Sequence, residues 1–94
     1  MALQFEWDTN KATVNYQKHG ISFDEAKTVF NDPFSITIAD SEHSLDEDRY
    51  IDIGLSARGK VLVVVYTERK SIIRIISCRS ATARERRTYE QQSY

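Results

Sequence analysis

Ninety-four residues, 40% of them hydrophobic and 29% charged, suffice for one domain with one modest core, so residues 1–94 read as a single unit. That balance excludes the low-hydrophobicity, high-charge signature of disordered chains; the lone cysteine, Cys78, excludes an intrachain disulfide, and no apolar run has membrane-spanning length. The net charge of −1 conceals two unlike halves: residues 1–48 carry three Lys/Arg against ten Asp/Glu, and residues 49–94 carry ten against four. The expectation is a soluble cytoplasmic protein, without a membrane partner, whose basic half can attract a polyanion.

Leu3 to Trp7 alternates apolar and polar residues and predicts a short first strand. Asp8 is placed to cap a helix reaching His19, and Gly20 supplies the left-handed residue that commonly stops one. Ser22 and Glu25 have capping-box spacing, and Ile21 and Ala26 that of a hydrophobic staple, so a second helix is predicted to about Phe30, ended by Asn31-Asp32-Pro33. From Ile36 the period changes to two: Ile36 and Ile38, then Ile51, Ile53 and Leu55, predict two strands with one buried face each. The acidic stretch between them predicts a solvated loop. Asp40, His43 and Ser44 there are the residue types of a hydrolytic triad, but clustering on one loop is not a triad.

Val61 to Tyr66 is continuously apolar and β-branched, as in a central strand covered on both faces. Ile72 to Ile76 predicts a further strand, joined to it by a tight hairpin around Arg69 to Ser71. Thr82 and Glu85 repeat the capping-box spacing and open a last helix containing Arg84, Arg86, Arg87 and Tyr89. The predicted fold is α+β: an antiparallel β-sheet meander with two N-terminal helices and one C-terminal helix, the helices segregated on one side.

Two histidines and one cysteine in three separate segments lack zinc-site spacing, and the isolated Gly20, Gly54 and Gly59 form no phosphate loop, so neither a metal nor a cofactor is expected. Cys78, in a predicted strand with no histidine nearby, reads as a packed side chain rather than a nucleophile. The basic set is more informative: Arg58, Lys60, Arg69, Lys70, Arg74, Arg79, Arg84, Arg86 and Arg87, with Tyr66 and Tyr89 interleaved. Guanidinium groups bind phosphate bidentately and aromatic rings stack on unpaired bases, although a solvated basic face has the same composition. A tight hairpin would set Arg79 and Arg69 at opposite ends of their strands, about eight residues or roughly 25 Å apart at ~3.3 Å per residue. On the first helix, Lys11, Asn15 and Lys18 form a polar stripe with His19 beside it. Lys18 and His19 complement the helix dipole on one reading; on another they touch a phosphate or base, or His19 transfers a proton.

The segments FEWDTNKATVNYQKHGISFDEA, VFNDP, HSLDEDRY, IGLSARGKVLVVVYTER and IRIISCRSATARERRTYE, in that order, resemble the BrnT toxins over nearly the whole chain. The resemblance implies a RelE-like fold and an endoribonuclease that arrests translation, helping the RNA 2′-hydroxyl attack its adjacent phosphate without metal. It also implies a cognate BrnA-type, DNA-binding antitoxin that holds the toxin in a hetero-oligomer. On this basis Arg79 is expected to stabilise transition-state charge, Arg69 to serve the same catalytic set, and Lys18 and His19 to transfer protons. Lys11, Asn15, Arg58, Lys60, Arg86 and Tyr89 are expected to contact RNA. Trp7 reads as core and Asp8 as a cap. Two rivals stand beside this reading: a non-catalytic module that binds RNA or protein, and an inactive toxin retained as an antitoxin-binding subunit.

Overall fold

A computed structural model describes residues 3–40 and 48–92, so the loop reading for His43 and Ser44 lies outside the described residues. Strand β1 (Gln4–Glu6) leads to helix α1 (Thr9–His19), whose Asp8 cap accepts from the Lys11 N–H and whose C-terminus is closed by Gly20 at φ 71. Helix α2 (Phe23–Lys27) starts at Ser22, whose hydroxyl accepts from the Glu25 N–H. It is shorter than predicted, because the chain tightens into a 3₁₀ turn over Thr28–Asn31 ahead of Pro33. The remaining elements are β2 (Ile36–Ala39), β3 (Arg49–Leu55), β4 (Val61–Arg69), β5 (Ile72–Ser80) and α3 (Ala83–Gln91).

The five strands form one sheet in the order β1-β5-β4-β3-β2. β2 through β5 make the predicted antiparallel meander, but β1 adds to the free edge of β5 in parallel, Glu6 opposite Arg74. The sheet is therefore mixed, which corrects the all-antiparallel expectation. Phe5 explains the docking of so short a strand, since its ring packs on Phe30 with centroids 5.3 Å apart and joins the main core.

β4 is covered on both faces, and the two faces hold different cores. Leu62, Val64 and Tyr66 meet Ile21, Phe23, Ala26 and Val29 from the α1–α2 layer. Val63 on the other face joins Ile53 and Tyr89 of α3. Neighbouring residues of a strand point to opposite sides, so α3 lies across the sheet from α1 and α2, and the helices are not segregated as predicted. Fully burying side chains such as Phe23, Leu62 and Ile75 is worth about 1.5–3 kcal/mol each, which makes the α1–α2 face the main source of stability.

Two backbone details place the functional groups. Val65 is opposite Ser77 but Tyr66 is opposite Ile75, so Ile76 is an extra residue in β5. This bulge reverses the alternation and brings Arg74 to the same face as Arg79. The β4–β5 hairpin turns through Lys70 (φ 51) and Ser71 (φ 69), the two positive φ values of a type I′ turn, without a glycine at either position.

Candidate functional site

The end of β5 and the start of α3 form a compact polar constellation. Ala81 continues the strand pairing by donating to the Val61 carbonyl, and Thr82 then caps α3. Its hydroxyl accepts from the Glu85 N–H at 3.1 Å, while Glu85 Oε1 accepts from the Thr82 N–H at 2.8 Å. This reciprocal cap turns the Glu85 carboxylate back toward β5. There Arg79 donates to it twice, Nη1 to Oε1 at 2.8 Å and Nη2 to Oε2 at 2.9 Å, with Nη1 also reaching the Ser80 carbonyl.

The hydrogen bonds from Arg79 outweigh burial and hold the Glu85 carboxyl at about 2, and the same contact raises Arg79. The pair is thus fully ionised near neutrality. The Arg79 side chain is 42% exposed, and among the described residues its contacts leave two of the five guanidinium donors for an incoming anion. A guanidinium pre-oriented in this way can bind a phosphate oxygen while its own carboxylate limits the positive charge it offers.

Two further groups of cations attach to this end of the sheet through the α1–α2 layer. The turn Ser56–Lys60 carries exposed Arg58 and Lys60 and is organised by Ser56, which donates to the buried Glu25 carboxylate at 2.8 Å and accepts from the Arg58 N–H. Arg58 itself comes within 4.0 Å of Glu25. The second group is the last turn of α1. Asn15 bridges α1 to β5, accepting from the Cys78 N–H at 3.1 Å and donating to the Cys78 and Ile21 carbonyls at 2.9 and 3.2 Å. Exposed Lys18 and His19 follow within a turn, anchored beside the residue that precedes Arg79.

Several predicted roles change in the structure. Asn15 is 6% exposed and fully engaged with backbone, so it belongs to the core and not to an RNA-binding stripe; exposed Lys11 and Lys18 remain on either side of it. Tyr89 is also buried, and its hydroxyl donates to Asp32, so its ring is not presented for base stacking. Burial and the Asp32 carboxylate push the Tyr89 hydroxyl up to about 12. Burial works against the Asp32 charge as well, but donors from Tyr89, Leu55 and Phe34 prevail and hold it below the usual carboxylate range. Arg86 is exposed on α3.

Arg69 is not beside Arg79. Arg79 lies opposite Val63 in the register, and the six residues from Val63 to Arg69 span about 20 Å at ~3.3 Å each. The two share a face but lie too far apart for both to touch one phosphate. Cys78 has no exposure, and burial pushes its thiol up to about 12, so it is a core side chain. Among the described residues no group of three His, Cys, Asp or Glu is arranged to hold a metal ion. Sequence reasoning gives Glu85 only a capping role; the Thr82-to-Glu85 spacing is the signal for its place beside Arg79, because a reciprocal cap points the carboxylate backwards.

The pattern described as "Ribonuclease toxin, BrnT, of type II toxin-antitoxin system" matches residues 7–85. The chain belongs to the BrnT family. Among solved structures, the fold is similar to that of the Brucella abortus ribonuclease toxin BrnT, with a TM-score of 0.66 and 21% identity over 86% of this chain and 99% of that one. No curated protein sequence matches. The BrnT pattern thus covers strands β2 to β5 and ends at Glu85, the partner of Arg79. No helix among the described residues is long and apolar enough to cross a membrane.

Proposed function

We propose that this BrnT-family chain is the ribonuclease toxin of a type II toxin–antitoxin system, with its scissile phosphate bound at Arg79. The observation that carries the reading is the oriented, half-exposed Arg79 guanidinium within a chain that matches the family over residues 7–85. Arg79 offers its remaining donors to the phosphate, where charge builds as the RNA 2′-hydroxyl attacks. Glu85 positions it. Lys18 and His19, anchored at the same end of β5 through Asn15, are the proton-transfer candidates, and Arg58, Lys60, Lys11 and Arg86 supply electrostatic attraction for the RNA strand.

In this reading the chemistry needs no metal and leaves 2′,3′-cyclic phosphate and 5′-hydroxyl ends. The RelE-like relationship, arrest of translation and neutralisation by a BrnA-type, DNA-binding antitoxin in a hetero-oligomer belong to the same proposal. The test is cleavage of RNA by the purified chain in excess chelator, with product ends analysed. Arg79→Ala is expected to lower the rate about 10²–10³-fold, the size of losing one oriented transition-state donor, and Arg79→Lys not to restore it, because one ammonium cannot replace a planar fork. RNA bound yet left uncut would support a second reading, a non-catalytic RNA-binding module, which the internal neutralisation of Arg79 by Glu85 favours.

A further inference from the structure

We propose that the cleft at the hairpin end of the sheet, lined by Thr67, Arg69, Lys70 and Arg74, is a second phosphate subsite that grips the RNA backbone remote from Arg79. It rests on the ribonuclease reading only in taking RNA as the ligand. The cleft measures about 270 Å³ and is completed by Ile72 and Glu6. Its lining carries three cationic side chains, Arg69, Lys70 and Arg74, and one carboxylate. Glu6 is paired with Arg74 at 3.0 Å, but both side chains are about half exposed, and an exposed ion pair of this kind is worth little, so an incoming phosphate can exchange for Glu6 at small cost.

The architecture of the cleft follows from the two irregularities of β5. Without the bulge at Ile76, Arg74 would face the α1–α2 core and the cleft would lose a wall. The type I′ turn holds Lys70 at its rim. Arg69 and Arg74 provide planar donors suited to phosphate oxygens, and Thr67 lines the cleft with them.

Its position argues for RNA over an acidic peptide. Cleft and Arg79 lie on one sheet face about six residues or ~20 Å apart, with half-buried Val65 and Ser77 between them. That is too far for one nucleotide and suits a short run of single strand crossing the sheet, its bases over Val65 and Ser77 and its phosphates at either end. Arg69 thereby has a role in a place where it cannot reach the Arg79 chemistry.

The test is titration of a labelled 2′-O-methyl RNA of about twelve nucleotides, a length typical of single-strand sites, against the full chain at several salt concentrations. The variant Lys70→Asn/Arg74→Gln is chosen because asparagine tolerates positive φ and glutamine keeps the packing of the arginine stem; circular dichroism verifies its fold. Loss of two phosphate contacts should lower the slope of log affinity against log salt by about 1.4, near 0.7 per contact for single strands. Lys27→Ala, on α2, should leave it unchanged. An unaltered slope in the double variant, or an equal change from Lys27→Ala, overturns the subsite. So does a wild-type chain that ignores RNA and binds polyglutamate in this cleft. RNA bound with the expected slope but left uncut would remove the nuclease reading and leave the subsite standing.

Discussion

Arg79 and Glu85 are joined by two parallel hydrogen bonds that lock the last strand to the last helix. Glu85 serves two masters, since the same carboxylate closes the capping box on the Thr82 N–H. A single side chain therefore fixes the entry of α3 and the orientation of the guanidinium proposed to meet the phosphate. The coupling makes α3 part of the site even though Tyr89 is its only buried residue among those described.

The pair predicts a pH dependence. Glu85 titrates at about 2 in the folded chain against an ordinary value of 4.5, so its folded pKa is depressed. The stabilisation is complete above about 4.5 and is lost as pH falls toward 2. Because Arg79 is 42% exposed, solvent screening reduces the nominal shift to about 1–2 kcal/mol. Glu85→Gln should be less stable than the parent by that amount in urea unfolding at pH 6, and the gap should narrow by pH 3. A gap that does not change with pH would mean that the cap, and not the ion pair, supplies the stability.

Asp52 predicts the opposite slope. It is buried beneath Tyr66, which donates to it at 2.9 Å, and burial, only partly offset by hydrogen bonds from Thr37 and Tyr66, raises its pKa above 3.8. A raised folded value means stability present below about 3.8 and lost as pH rises through the folded pKa. Asp52→Asn keeps an acceptor for Tyr66 and removes the buried charge. It should raise Tm at pH 7 and lose that advantage at pH 3; a lower Tm at pH 7 would contradict the account.

Asn15 separates a structural role from an RNA contact. Replacing it with alanine strands the Cys78 N–H and weakens two carbonyl contacts in the core, at a cost of about 2–4 kcal/mol. Asn15→Ala should lower Tm steeply, while RNA affinity measured on the folded fraction at low temperature stays within about twofold. Weakened RNA binding with unaltered Tm would restore the sequence-based stripe.

Much of this architecture was legible in the sequence, and the failures have physical causes. Periodicity announced the strands from Ile36 to Ile76, and Asp8, Ser22 and Thr82 marked their helix starts, because these signals depend on local geometry. The parallel docking of β1 was hidden: three residues carry no pairing information, and Phe5 finds its place only when Phe30 is in position. The side of the sheet that α3 occupies depends on Tyr89 reaching Asp32, 57 residues earlier in the chain. Alternation counted through β5 sets Arg74 and Arg79 on opposite faces, and no composition signal revealed the bulge at Ile76. Asn15 looked like a surface residue because its neighbours Lys11 and Lys18 are; only the long-range partner Cys78 buries it.

Gly54 leaves no room for a side chain and gives the last prediction. A Cβ there would stand 2.8 Å from Val29 Cγ1 and 2.9 Å from Ser35 Cβ; Val29 belongs to the 3₁₀ turn that packs on β3, and Ser35 follows it, donating its N–H to the Asp32 carbonyl. Alanine must push this turn off the sheet, and the Asp32 carboxylate, which accepts from the Leu55 N–H and the Tyr89 hydroxyl, moves with it. Gly54→Ala should cost about 1–3 kcal/mol, the range for overpacking. Ser71→Gly, at φ 69 in the hairpin where nothing must move, should instead add about 0.5–1 kcal/mol by relieving the left-handed strain. Denaturant midpoints of the two variants should therefore shift in opposite directions, and a Gly54→Ala chain as stable as the parent would show that the 3₁₀ turn is free to lift without loosening the Asp32 to Tyr89 tie that holds α3.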